Sequence, residues 1–103
     1  MRKILKNTAK TRAYLDSLPK IYMVGCWAKY GVREYPFTDK YALNQSGISV
    51  PLVYDYDDHN GTCDNYYLRK LSYVTTGKII MWTQIKSVAD KVAELLNKEL
   101  QNG

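Results

Sequence analysis

The densest grouping of reactive side chains is Asp55-Tyr56-Asp57-Asp58-His59-Asn60-Gly61-Thr62-Cys63-Asp64, which holds four carboxylates, the only histidine and one of two cysteines. Carboxylates crowded on a loop suit a hard, oxygen-loving cation. An EF-hand loop needs a glycine at its sixth position and carboxylates at its ends. With Gly61 in that place, Asp58 and Asn60 fall on the third and fifth positions, but Tyr56 and Tyr67 occupy the ends. The flanks also read as strands rather than helices, so the calcium-loop pattern fails. A looser Mg²⁺ or Ca²⁺ site on Asp55, Asp57, Asp58, His59 and Asp64 is kept as a third functional reading. The bland alternative is a polar hairpin loop in which Asp and Asn serve turn geometry.

His59 and Cys63 form the one nucleophile–base combination available. A loop without a supporting shell is a poor place to position such a pair. The chain has no phosphate-binding P-loop, dinucleotide fingerprint, serine-hydrolase elbow or zinc-protease motif. Two cysteines and one histidine make no zinc spacing. The expectation is a protein that is not an enzyme and carries no cofactor.

The aromatic content is the most distinctive feature. Ten tyrosines accompany two tryptophans and one phenylalanine. A buried phenol needs a hydrogen-bond partner, so this excess predicts that several tyrosines are partly exposed. Exposed tyrosine is enriched at protein interfaces. Along Tyr66-Tyr67-Leu68-Arg69-Lys70-Leu71-Ser72-Tyr73, strand alternation places Tyr67, Arg69, Leu71 and Tyr73 on one face. Tyr66, Leu68, Lys70, Ser72 and Val74 fall on the other. With Tyr54 and Tyr56 from the preceding segment, the candidate contact set is Tyr54, Tyr56, Tyr66, Tyr67, Arg69 and Tyr73. Such a face suits a protein partner, or stacks bases with cationic help. Lysines outnumber arginines eleven to four. An AT-rich coding sequence would give the same bias, which is the competing explanation for part of the tyrosine excess.

Charge is distributed unevenly. Residues 1–40 hold nine basic and three acidic side chains, a net of +6, whereas residues 41–103 net −1. A basic N-terminal part attracts nucleic acid or an acidic protein surface. Lys3, Lys6, Lys10 and Arg12 are the candidate nucleic-acid contacts. Lysine in place of arginine favours nonspecific phosphate binding over base reading.

At 103 residues the chain fits one domain, and 46% hydrophobic with 24% charged residues is globular composition. No run approaches the roughly 20 apolar residues of a membrane span. No apolar stretch follows the basic N-terminus, so no secretory signal is read and the cytoplasm is the expected location. Cys26 lies in an apolar run and reads as a small buried hydrophobe. Whether it pairs with Cys63 stays open.

The elements that must position these residues follow from periodicity. Over 83–100, Ile85, Val88, Ala89, Val92, Leu95, Leu96 and Leu100 form a helical stripe expected to cover a sheet. Lys86, Asp90, Lys91, Glu94, Lys98 and Glu99 take the other side, and Thr83 or Ser87 can cap the N-terminus. Residues 65–74 and 78–83 read as a hairpin across Thr75-Thr76-Gly77. Residues 48–56 read as a strand in which Pro51 signals an edge or a start, and Asn60-Gly61 is a turn signal. Residues 21–28 are apolar on both faces and read as a central strand. Residues 32–37 pair with them, limited by Pro36. Residues 39–47 read as irregular, with a helical turn at 40–43. Residues 8–18 read as a short helix that Pro19 ends.

The expected architecture is a single α+β domain. An antiparallel sheet of four to five strands is joined by a short N-terminal helix and a long C-terminal amphipathic helix packed on it. The leading functional expectation is a non-catalytic protein-interaction module, an adaptor or inhibitor of the type that phages and mobile elements encode. A nucleic-acid-binding module is the second. Edge strands beside an amphipathic helix also suit a homodimer.

Overall fold

Thr8 starts the first helix by accepting the backbone N–H of Thr11 on its hydroxyl at 3.1 Å. This is a computed structural model, and it describes residues 4–56, 63–74 and 78–102. In chain order the elements are β1 (Ile4–Lys6), α1 (Ala9–Ser17), β2 (Lys20–Cys26), β3 (Tyr30–Leu43), β4 (Ser49–Tyr56), β5 (Asn65–Lys70), a 3-10 turn (Leu71–Tyr73), β6 (Lys78–Thr83) and α2 (Lys86–Asn102). The α+β class, the antiparallel pairing and the long C-terminal helix are as expected. The strands number six rather than four or five. The fold divides into two compact units, Met1–Pro19 with Tyr35–Val74 and Lys20–Glu34 with Thr75–Gly103, so that β3 contributes to both.

In the first unit the strand order is β1-β5-β4-β3. Its core is Leu15, Tyr35, Phe37, Val50, Pro51, Val53, Tyr54 and Leu71. Leu15 is the one residue α1 buries, and the helix ends where the Leu18 N–H returns to the Leu15 carbonyl ahead of Pro19.

Two expectations fail along β3. The strand runs through Pro36, and residues 39–43 are extended rather than helical. The cause is a bulge. Phe37 pairs with Val53, yet Tyr41 pairs with Pro51, so β3 carries extra residues between them. Asp39 takes a left-handed φ of 64° there. Thr38 bridges the irregularity by donating its hydroxyl to the Leu52 carbonyl at 2.9 Å and accepting the Lys40 N–H at 3.2 Å. Pro51 is therefore not on an edge. β4 lies between β5 and β3, and Pro51 pairs with Tyr41 directly beside the bulge.

The expected hairpin of 65–74 with 78–83 also does not form. β5 stops at Lys70 and turns through Leu71–Tyr73, which buries Leu71. Both edges of β5 are taken, by β4 and β1, so β6 pairs instead with β2. The turn signals at Asn60-Gly61 and Thr75-Thr76-Gly77 lie outside the described residues.

In the second unit the order is β3-β2-β6, and α2 packs on β2 and β6. β2 is central, as its unbroken apolar run requires. Val24 meets Ala89 and Ala93 of α2, with Tyr22, Tyr30, Val32, Met81, Val92 and Leu96 around them. Small alanines let the helix approach the sheet closely. Thr83 accepts the Ile85 N–H at 3.1 Å in the turn before the helix, but neither Thr83 nor Ser87 is the N-cap: Ile85 precedes Lys86, and its carbonyl takes the Val88 and Ala89 N–H groups. Asn97 fixes the rotation of α2: its amide accepts the Tyr30 N–H and donates to the Tyr30 carbonyl, both at 2.9 Å. On the reverse face Trp27 folds across its own hairpin onto Gly25, and the Arg33 guanidinium stacks 4.1 Å from its ring centre.

Two stability predictions follow from these contacts. A Cβ on Gly25 would lie 2.5 Å from the Trp27 ring, whereas one on Gly31 would lie 3.8 Å away. Thermal melting should show Gly25→Ala destabilised by about 1–3 kcal/mol through overpacking. Gly31→Ala should stay within about 0.5 kcal/mol of the parent. Asn97→Leu should cost about 1–3 kcal/mol in urea unfolding, because the Tyr30 N–H and carbonyl lose their partner in a half-buried place.

Candidate interaction surface

Registers across β1, β5 and β4 assemble one sheet face. Ile4, Tyr67 and Asp55 stand in one row, Arg69 and Val53 in the next, and Lys6 beside Asn65 at the other end. Directly opposed residues share a face in an antiparallel sheet. Phe37, opposite Val53, continues it into the core. Exposure rises toward the β1 edge. Phe37 and Val53 are fully buried, Tyr67 and Asn65 half-buried, and Ile4, Lys6 and Arg69 exposed.

Arg69 is held from two sides. Its guanidinium lies 3.9 Å from the Asp55 carboxylate and 5.3 Å from the Tyr67 ring centre. The Asp55 side chain is only 16% exposed, but that of Arg69 is 45% exposed. An ion pair so open to water is worth less than about 1 kcal/mol, and the ring adds about 0.5–1 kcal/mol. The larger consequence is orientation, since a long, flexible side chain is confined between a carboxylate and a ring while staying 45% exposed.

The other tyrosines do not join this face. Tyr56 and Tyr66 oppose each other on the reverse side, where Tyr66 is half-buried and Tyr56 exposed. Tyr54 shares that reverse side and is only 3% exposed. Its ring meets Tyr14 of α1 edge-on at 6.3 Å, so it is a core residue rather than a contact residue. Tyr73 lies on the 3-10 turn, not on the strand, and is exposed, with the Lys70 ammonium 5.9 Å from its ring centre. The tyrosine excess does leave Tyr14, Tyr41, Tyr56 and Tyr73 exposed, as expected.

The basic N-terminal residues separate. Lys6 joins the open face, and Lys10 and Arg12 are exposed on α1. Arg12 donates to the Asn7 side-chain oxygen at 2.7 Å. Lys20, Lys29 and Arg33, which share the same basic half of the sequence, belong to the second unit. Lys3 lies outside the described residues, as do Asp57, Asp58 and His59. Asp55 is engaged by Arg69, and Asp64 is exposed with its carbonyl accepting the Asn7 N–H at 3.0 Å. Among the described residues no three His, Cys, Asp or Glu side chains gather where a metal could bind. Cys26 and Cys63 are both half-buried and are not joined in a disulfide, and the Cys63 thiol donates to the Asn65 carbonyl at 3.5 Å.

Sequence reasoning missed Ile4 and Lys6 as members of the face, because a three-residue strand has no readable period. It also missed the Trp27–Arg33 stack, whose partners lie six residues apart across a hairpin.

Burial, and then the neighbouring Tyr14 phenol, raise the Tyr54 pKa above its ordinary value of 10.0. Burial, and then the Cys63 thiol, do the same for Tyr66. The folded chain therefore keeps both phenolic protons at a pH where the unfolded chain has lost them. The contribution of these two phenols to stability should be fully present below pH 10 and be lost as pH rises beyond it. Denaturant unfolding across that range should show the decline, and Tyr54→Phe should make it shallower.

No protein-family model, curated protein or solved structure matches this chain at a significant level, so its own residues carry the functional reading.

Proposed function

We propose that the chain is a small, non-catalytic protein-interaction module, an adaptor or inhibitor that engages its partner through the Ile4–Tyr67–Arg69 face. The observation that carries this reading is Arg69, held between Asp55 and Tyr67 on an open sheet face. A guanidinium offers five N–H donors in a rigid fork. Asp55 engages its inner side, which leaves the outer side for a partner's carboxylate or backbone carbonyl. Ile4, 51% exposed, and the Tyr67 ring supply apolar contact area beside it. Tyrosine and arginine are the residue types that most often dominate binding energy. Confinement in the free protein reduces the ordering cost that a loose arginine would incur on association.

A second reading is favoured by Lys6, which shares the face with Tyr67 and Arg69. Phosphate held by Lys6, with a base stacked on Tyr67, would make this face a nucleic-acid surface, while Lys10 and Arg12 on α1 would add charge from the side of the sheet that carries Tyr54.

A pull-down from cell lysate, run with and without nuclease, separates the two. The interaction reading expects a protein partner that survives nuclease and is weakened at least about tenfold by Arg69→Ala or Tyr67→Ala, an effect of roughly 1.4 kcal/mol or more. Tyr54→Phe should leave that binding unchanged. Loss of all partners after nuclease, with binding that falls steeply as salt rises, would move the assignment to nucleic acid. Capture of neither class would defeat both.

A further inference from the structure

The second unit presents a cation that is held in place without a polar partner among the described residues. The Trp27 indole lies across the β2–β3 hairpin because Gly25 leaves it room: a Cβ there would sit 2.5 Å from the ring, and one on Gly31 would sit 3.8 Å away. The glycine backbone occupies one face of the indole, so the Arg33 guanidinium, 4.1 Å from a ring centre, takes the other. Trp27 is half-buried and Arg33 is exposed. Other described arginines are engaged by polar groups: Arg12 donates to Asn7, and Arg69 pairs with Asp55. Arg33 makes no hydrogen bond or ion pair among the described residues.

Its side of the sheet carries no acid from its own unit. That unit, Lys20–Glu34 with Thr75–Gly103, contains Glu34, Asp90, Glu94 and Glu99. The last three lie on α2, which packs against Val24. Gly25 follows Val24, so strand alternation turns it, with the indole upon it, to the opposite face. Glu34 follows Arg33 and alternates in the same way, toward α2, where it lies within electrostatic reach of Lys86. Lys29, exposed beside the hairpin turn, adds a second positive charge near Trp27.

A guanidinium stacked on a ring still offers its edge and its other plane. The edge suits the oxygens of an anion, and the plane suits a flat, unpaired base. A partner that is both anionic and flat uses both. We propose that Arg33, seated on Trp27, is a contact for single-stranded nucleic acid, stacking one base on its plane and holding a neighbouring phosphate at its edge. An acidic peptide would supply the charge without the plane, and a duplex keeps its base faces enclosed. The indole fixes the guanidinium before binding, so less side-chain freedom is lost on association. The contact belongs to a different unit from Tyr67 and Arg69 and does not depend on either reading of their face.

Fluorescence anisotropy of a labelled oligothymidylate with the full chain tests this directly. The parent should bind, and binding should weaken as salt rises. Arg33→Ala, at an exposed position, should weaken binding at least about tenfold with unchanged circular dichroism. Arg33→Lys keeps the charge but loses the plane, and should stay at least about fivefold weaker than the parent. Polyglutamate should not displace the oligonucleotide, and a duplex should bind more weakly than the single strand. Tyr67→Ala and Lys6→Ala lie in the other unit and should leave the affinity unchanged, so this inference and the proposed partner face fail independently. Absence of binding, an Arg33→Ala or Arg33→Lys chain that binds like the parent, displacement by polyglutamate, or a duplex bound as tightly as the single strand would overturn the proposal.

Discussion

The open face of the first unit depends on Asn7. A three-residue strand cannot hold itself on a sheet edge, because pairing at so few positions does not offset the entropy of ordering them. Asn7 follows β1 directly and uses its backbone N–H and both ends of its side-chain amide. Its backbone N–H donates to the Asp64 carbonyl at 3.0 Å, and its side-chain amide donates to the Cys63 carbonyl at 2.6 Å. Its side-chain oxygen accepts from Arg12 on α1. Thr8 then caps α1 one residue later. One short segment thus fixes the end of β1, the start of α1 and the residues entering β5. Without it, Ile4 and Lys6 would leave the face that Tyr67 and Arg69 share.

The same economy explains why that face is chemically mixed. Val53 and Phe37 at one end need complete burial, and Arg69 at the other needs water. Asp55 and Tyr67 occupy the boundary. A half-buried carboxylate is tolerable there because a guanidinium lies beside it. A half-buried tyrosine suits the place because its ring is apolar and its hydroxyl is not. The surface is therefore a gradient rather than a patch, and the residues with the most organised surroundings lie in its middle.

Much of the fold was legible before any coordinates. α1 was marked by the proline that ends it and α2 by a 3.6-residue period, which are local signals. β2 was marked as central by apolar residues on both faces. Elements whose definition is not local were misread. Pro36 and Pro51 suggested short or edge strands, because a proline interrupts a ladder. A bulge that already interrupts it can absorb one of them, and only the partner strand reveals the bulge. The Thr75-Thr76-Gly77 turn signal suggested that its neighbours pair, yet β5 had no free edge to offer. The candidate site was legible in part for the same reason. Alternation correctly joined Tyr67 with Arg69, which lie within one strand. It wrongly extended the strand to Tyr73, where burial of Leu71 in a 3-10 turn overrides the period. The basic N-terminal half was a real feature of composition, but the chain distributes it over two units.

The two edge strands show what sequence composition alone could not separate. β1 is three residues long and ends on Lys6, so it carries both of the usual protections against unwanted pairing. β6 is six residues long, and its one charge, Lys78, sits at its first position. Short length and a terminal charge leave β1 little backbone for another strand to pair with, whereas β6 presents five uncharged residues in succession, Ile79 to Thr83. α2 approaches β2 on the small side chains Ala89 and Ala93, and that close approach leaves Val88 and Leu95 exposed on the helix.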